Sequence, residues 1–238
     1  MNTNESLARL SFLAVLALAA AACGSTDPGT NAEPDASAPA ARSFLPLETG
    51  NRWTYRVTDG DDVETKTQEV GELESVGGSG PNADVLAYRM TTRRGVDGTN
   101  ETVSYQGVVG ARVVRFREQA FNATTGDLDI EEHWDPYKLR VDQAEEFLED
   151  GASFLEPYDE TKLIPGEEPT TAARGDRWTV LAAREMVTVP AGTFEAVKVN
   201  RVSSSQGAVK TYWFVENVGK VKEEGGQLEE LESYEVAE

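Results

Sequence analysis

The chain has 238 residues, 42 acidic against 22 basic, a net charge of -20, and only one cysteine, Cys23, and one histidine, His133. That charge repels phosphate backbones and anionic headgroups, so nucleic-acid binding and membrane attachment through a basic patch are disfavoured. A multi-histidine zinc site, a Cys-ligated metal, an internal disulfide and a thiol redox centre are excluded, and with no GxxxxGK[ST] and no strand-linked GxGxxG no cofactor is expected.

Residues 1–22 have the layout of an export signal. Arg9 precedes the apolar run Leu10-Ser11-Phe12-Leu13-Ala14-Val15-Leu16-Ala17-Leu18, and small residues lead to Ala22. The run is shorter than the roughly 18 to 20 residues that cross a bilayer as a helix. Ala20-Ala21-Ala22 followed by Cys23 resembles the bacterial lipobox, with Ala20 where leucine is usual. The resemblance implies that Cys23 becomes the acylated N-terminus, carrying fatty acyl chains such as palmitate. The alternative is ordinary secretion that leaves a free thiol. Each buried methylene contributes about 0.8 kcal/mol, so two or three chains anchor the protein without spanning the membrane. Gly24, standing where aspartate marks inner-membrane retention, implies the outer membrane in a Gram-negative cell. The partner implied at this end is therefore the membrane itself, through the lipid on Cys23, and the location is the cell envelope.

Residues 24–42 are Gly-, Ser-, Thr-, Pro-, Asp- and Ala-rich with no apolar period, and read as a tether. A flexible coil of this length reaches about 25 Å. Glu5 and Arg9 cancel, so the excess negative charge belongs to the mature protein. Residues 43–238 are expected to form one domain held by its core alone.

Within that domain the dominant period is two. Arg52-Trp53-Thr54-Tyr55-Arg56-Val57-Thr58 puts Trp53, Tyr55 and Val57 on one face, and Asp59-Gly60-Asp61-Asp62 supplies a turn. Similar runs cover 63–76, 84–93, 101–106, 112–121, 128–134, 178–189, 194–203, 209–215, 218–223 and 227–236, with Gly-, Asn- and Asp-containing breaks between most of them. One short helix is expected over Asp142–Asp150, capped by Asp142. The Pro- and Glu-rich stretch Gly151–Ala173 reads as a long loop crossing the sheet. Gly50-Asn51-Arg52-Trp53-Thr54-Tyr55 is echoed by Gly175-Asp176-Arg177-Trp178-Thr179-Val180, best read as a repeated turn-into-strand device.

Candidate chemistry is sparse. In Gly126–Asp135, read as a strand, Asp127, Asp129, Glu131, His133 and Asp135 share a face that offers oxygen ligands to a hard cation, but an exposed acidic face looks the same and is favoured. Paired carboxylates suit glycoside hydrolysis, yet 42 acidic residues give no way to select a pair. Ser203-Ser204-Ser205 lacks the glycines of a nucleophile elbow and reads as a hairpin end. Trp53, Tyr55, Trp178, Tyr212, Trp213 and Phe214 read as core. Trp213 and Phe214 are adjacent, so one looks outward or both sheet faces are covered.

Three pieces of the domain resemble a loose group of uncharacterised bacterial envelope lipoproteins. They are Phe44-Leu45-Pro46-Leu47 leading to Gly50–Tyr55, then Val187-Thr188-Val189-Pro190-Ala191-Gly192-Thr193-Phe194-Glu195-Ala196-Val197-Lys198-Val199, and Tyr212-Trp213-Phe214-Val215-Glu216-Asn217-Val218-Gly219-Lys220-Val221-Lys222. The resemblance extends to Lol-type β half-barrels. It implies a concave sheet that accepts an acyl chain or an envelope partner, and it brings no catalytic residue. The expectation is therefore a mainly β protein with a single antiparallel, strongly curved sheet, a half-barrel or open barrel. Its function is expected to be non-enzymatic binding of an apolar ligand or an envelope protein. A carboxylate-dependent hydrolase of envelope polymer or glycan, and a structural lipoprotein without a ligand, are the alternatives.

Overall fold

Alternation of buried and exposed residues organises the chain from Arg52 onward. In a computed structural model, which describes residues 43–95, 100–204 and 207–237, it yields twelve strands. These are β1 (Arg52–Asp59), β2 (Asp62–Ser75), β3 (Leu86–Arg94), β4 (Asn100–Val109), β5 (Arg112–Phe121) and β6 (Leu128–Asp142), then β7 (Ser153–Leu163), β8 (Thr170–Val189), β9 (Gly192–Ser203), β10 (Val209–Val215), β11 (Gly219–Gly225) and β12 (Gln227–Glu235). The signal segment 1–22, Cys23 and the tether 24–42 lie outside the described residues.

Each strand pairs antiparallel with its sequence neighbours, and β1 also pairs with β12, from Arg52 opposite Glu235 to Thr58 opposite Leu228. The single antiparallel, strongly curved sheet expected from the sequence is present, and its curvature goes to completion: the barrel is closed. Where β1 meets β12, Arg56 pairs with Glu230 at 2.7 Å.

The apolar core lies inside. Trp53, Tyr55, Val70, Met90 and Leu231 are buried, and so are Phe44, Leu45 and Leu47, which precede β1. This leading segment crosses one end of the barrel. The Phe44 amide donates to Gln143 Oε1 at 2.7 Å in the β6–β7 connection, and the Asn217 amide in the β10–β11 turn donates to the Ser43 carbonyl at 2.6 Å. A buried aromatic or aliphatic side chain of this kind contributes roughly 1.5 to 3 kcal/mol, so the plug is part of the core.

Three expectations are corrected. The helix over Asp142–Asp150 is only one 3-10 turn, Glu145–Phe147. Asp142 ends β6 and is held by Arg112 at 2.8 Å, and the segment buries only Phe147, too little to hold a longer helix. The crossing loop Gly151–Ala173 is instead β7 and the start of β8. Its alternation is real but inverted in polarity: Glu156, Tyr158 and Glu160 point in and are buried, while Leu155 points out. The second copy of the echo does not start a strand, because Gly175 lies within β8, five residues after its start at Thr170, exchanging hydrogen bonds with Ser204 at 2.8 and 2.9 Å. Only the Trp anchors correspond, Trp53 and Trp178 both being buried.

Trp213 and Phe214 are both buried. The pairing register with β11 shifts between them, and both faces of the sheet there are covered. Lys198 and Lys222 lie over the Trp213 ring at 4.9 and 4.8 Å, and its indole N–H donates to Glu185 at 2.9 Å.

Candidate ligand site in the barrel interior

An eight-stranded barrel is just filled by its own side chains, whereas twelve strands enclose more space than apolar residues of ordinary size occupy. Here the surplus is polar. In the half of the barrel nearer the β1–β2 and β11–β12 turns, inward positions carry charge and surround a cavity of about 310 Å³. Eight cationic and three carboxylate side chains line it, in a chain of net charge -20.

One wall is a lysine–glutamate knot. Lys66 on β2 reaches both oxygens of Glu229 at 2.9 and 2.7 Å, and Lys220 on β11 reaches Glu229 at 2.7 Å and also pairs with Glu223. Lys210 pairs with Glu223 as well, so three lysines share two carboxylates. Burial works to raise Glu229, but Lys220 and Lys66 outweigh it and bring its pKa down to about 2. Burial works to lower Lys220, but Glu223 and Glu229 hold it above its ordinary value. Lys66 has the weaker share of the pairing. Burial, followed by repulsion from Lys220, drops it to about 8.

The other wall mixes cations with aromatic rings. Arg115 and Lys138, opposite each other on β5 and β6, lie over Trp134 at 4.6 and 5.0 Å. Arg201 on β9 lies over Trp178 and Tyr212 at 5.8 and 5.9 Å, with Asp176 at 3.7 Å. Arg115 pairs with Glu118, and Lys138 stands 3.7 Å from Glu160. Burial, then Arg115 and Arg201, brings Lys138 down to about 8. Arg140, two residues along β6, makes no hydrogen bond or ion pair among the described residues, and its Nε is buried without a partner.

A second concavity opens where β6 and β7 part. Their ladder covers only 131–135 against 159–163. Beyond it lie adjoining spaces of about 490 and 280 Å³ that share Arg112, Tyr137 and Phe154, with Phe147 on one side and Leu139 on the other. Where the ladder is missing, the Leu139 amide donates to Glu156 Oε1 and Trp178 Nε1 donates to Glu156 Oε2 at 3.3 Å. Burial pushes Glu156 up to about 7.

The acidic stripe is divided by the fold. Glu131 and His133 face away from the interior, opposite to Trp134 and Glu132, and are buried beneath the β2–β3 connection at Gly78 and Gly80, with His133 Nε2 at 2.7 Å from Glu131 Oε1. Arg117 pairs with the other Glu131 oxygen, and Gln119 donates to it at 2.8 Å. Burial tends to raise Glu131, yet Arg117 and His133 hold it below the usual carboxylate range. Asp127, Asp129 and Asp135 are exposed, and the contact seen for Asp129 is with Asn122. Among the described residues no three His, Cys, Asp or Glu side chains gather to hold a metal ion. Ser203 and Ser204 end β9 and enter a turn, and Ser205 lies outside the described residues.

Sequence reasoning missed the interior cations because charge was read as solvent exposure. A usable signal was present: Lys66 and Gln68 share the face of Val70, Thr92 and Arg94 that of Met90, and Lys210 that of Tyr212 and Phe214, all core residues.

No family model matches the chain, and no curated protein does. The fold has a solved counterpart. A Bacteroides fragilis protein held to be exported, with a YmcC-like fold, is similar at 15% identity and a TM-score of 0.51, covering 81% of this chain and 98% of that one. A Parabacteroides distasonis protein held to be a lipoprotein matches at 13% identity and a TM-score of 0.37, with the same coverage of each chain. The first likeness is one of fold.

Proposed function

We propose that the chain is an exported lipoprotein of the cell envelope, anchored through acylated Cys23, whose barrel is a non-enzymatic binding module that receives its ligand in the interior cavity. The observation carrying this reading is the cavity itself, about 310 Å³ lined by more cations than carboxylates inside a strongly acidic protein. A stability-driven interior would be apolar, since charges taken out of water cost more than their pairing commonly returns. The lipobox-like Ala20-Ala21-Ala22-Cys23 supports the anchor, and the exported counterpart of like fold is in keeping with it. Gly24 favours the outer membrane where the source has two.

A second reading, in which an apolar ligand or an envelope protein is held, is favoured by the slot between β6 and β7 with Tyr137, Phe147 and Phe154 on its walls. The hydrolase alternative has Glu156, near pH 7, in its favour. That carboxylate is already occupied by Leu139 and Trp178, and its buried neighbour Asp176 by Tyr158 at 3.2 Å and Arg201.

Native mass spectrometry of the protein extracted from membranes tests the binding reading, with a bound molecule of constant mass expected. Absence of any bound molecule, with no response to any added compound, would sink it. Cys23→Ala is expected to move the protein from the membrane to the soluble fraction; undiminished membrane retention would refute the anchor.

A further inference from the structure

We infer that the interior cavity binds a small oxyanion, a carboxylate or phosphomonoester group bearing one or two negative charges, with the Arg140 guanidinium as its principal donor. The inference rests on the binding reading above and specifies the chemistry of the ligand. Arg140 stands at a bulge: Val113 pairs with Val141 and Val114 with Leu139, so the residue between them has no partner on β5. Bulges re-aim side chains and recur beside binding sites. Here the re-aimed group is an arginine that reaches the cavity and meets no acceptor.

The rest of the lining is accounted for. Lys66, Lys210 and Lys220 share Glu223 and Glu229, Arg115 has Glu118, Arg201 has Asp176, Lys138 has Glu160, and Arg94 has Glu64. Eight cations thus face six carboxylates, one of which, Glu160, also holds Arg174 and Lys162, so positive charge is in excess around the cavity. Arg115 and Arg201 each also keep a buried Nε with no hydrogen-bond partner. A guanidinium fork offers two parallel N–H donors, the geometry that carboxylate and phosphate oxygens accept, and buried orphan donors mark where a ligand supplies the acceptor.

The mature lipoprotein in detergent is titrated calorimetrically with glycerol 3-phosphate and with succinate, with glycerol as the neutral control. Vesicles of phosphatidylcholine with and without phosphatidate separate a lipid headgroup from a free anion as the source. Binding of at least one anionic probe, and none of glycerol, is expected. Arg140→Gln should weaken binding roughly ten- to a hundredfold, and Arg140→Lys less. Because Arg140→Gln removes an unpaired buried charge, the empty variant should melt above the wild type. Arg140→Met, which keeps the stem, gives the same readout if the glutamine variant does not fold. A response to phosphatidate alone supports the inference and names the headgroup as the source. If no anionic probe binds, or if binding survives undiminished in the Arg140 variants whatever their melting point, the inference is overturned. A neutral molecule found bound in membrane-extracted protein overturns it too, yet leaves the binding reading intact.

Discussion

Lys66 is a lysine that its surroundings hold near the edge of deprotonation. Burial and Lys220 bring its pKa to about 8, so below that pH its charge opposes the fold. Between about pH 8 and pH 10.5 the unfolded chain keeps this proton and the folded chain gives it up, so stability is expected to rise with pH across that window, by up to about 3 kcal/mol. Lys66→Met should reduce the rise and leave the part due to Lys138, which also titrates near 8. Urea melts of both proteins at about pH 7.5 and about pH 10 check this, and equal slopes would exclude it. His133 makes a steric counterpart. A Cβ added at Gly80 would stand 2.3 Å from its Nδ1, with ring carbons at 2.8 and 3.1 Å. Gly80→Ala is expected to cost about 1 to 3 kcal/mol, much of it recovered when His133→Ala is combined with it, measured by thermal melts of the double-mutant cycle. Only the first left a trace in the sequence. Lys66 shares the face of Val70, whereas Gly80 touches a residue 53 positions away that is brought to it by the β2–β3 connection lying against β6.

Among the strands, those with several buried apolar residues in alternation declared themselves in the sequence. β5 and β10 occupy the residues expected from alternation, 112–121 and 209–215, and the Val187–Val199 segment is the expected hairpin of β8 and β9. β7 did not, because Glu156, Tyr158 and Glu160 fill its inward face and a period-two pattern of charges does not register as hydrophobic alternation. The same cause hid the candidate site. Glu156 does the work of a missing ladder, since its carboxylate takes the Leu139 N–H that β7 would otherwise receive. Glu156→Ala is expected to orphan that amide and the Trp178 indole N–H, at a cost of about 2 to 4 kcal/mol, while Glu156→Gln keeps one acceptor and loses less. Hydrogen exchange read at Leu139 should lose its protection in the alanine variant; unchanged protection would mean that the strand is held there by something else.

For the molecule as a whole, the pairing of β1 with β12 decides the architecture. Arg52 and Glu235 are opposite each other although 183 residues separate them, whereas the other pairings join consecutive strands. Contacts so distant in sequence form against a large loop-closure entropy, so this seam is expected to be the last to gain protection during refolding. Pulse-labelled hydrogen exchange tests that order, and early protection at Trp53–Val57 would contradict it. Local turn chemistry and alternation predict a curved sheet, but nothing in β1 or β12 alone says that they meet, which is why closure was not legible. Closure also governs how neighbouring copies behave when crowded on a surface. A barrel without free strand ends along its sides gives another chain no backbone row to extend, so intermolecular β-pairing and fibril templating have no starting point there. The parted stretch between β6 and β7 is the interruption in that protection, and the Glu156 carboxylate lies across it at Leu139.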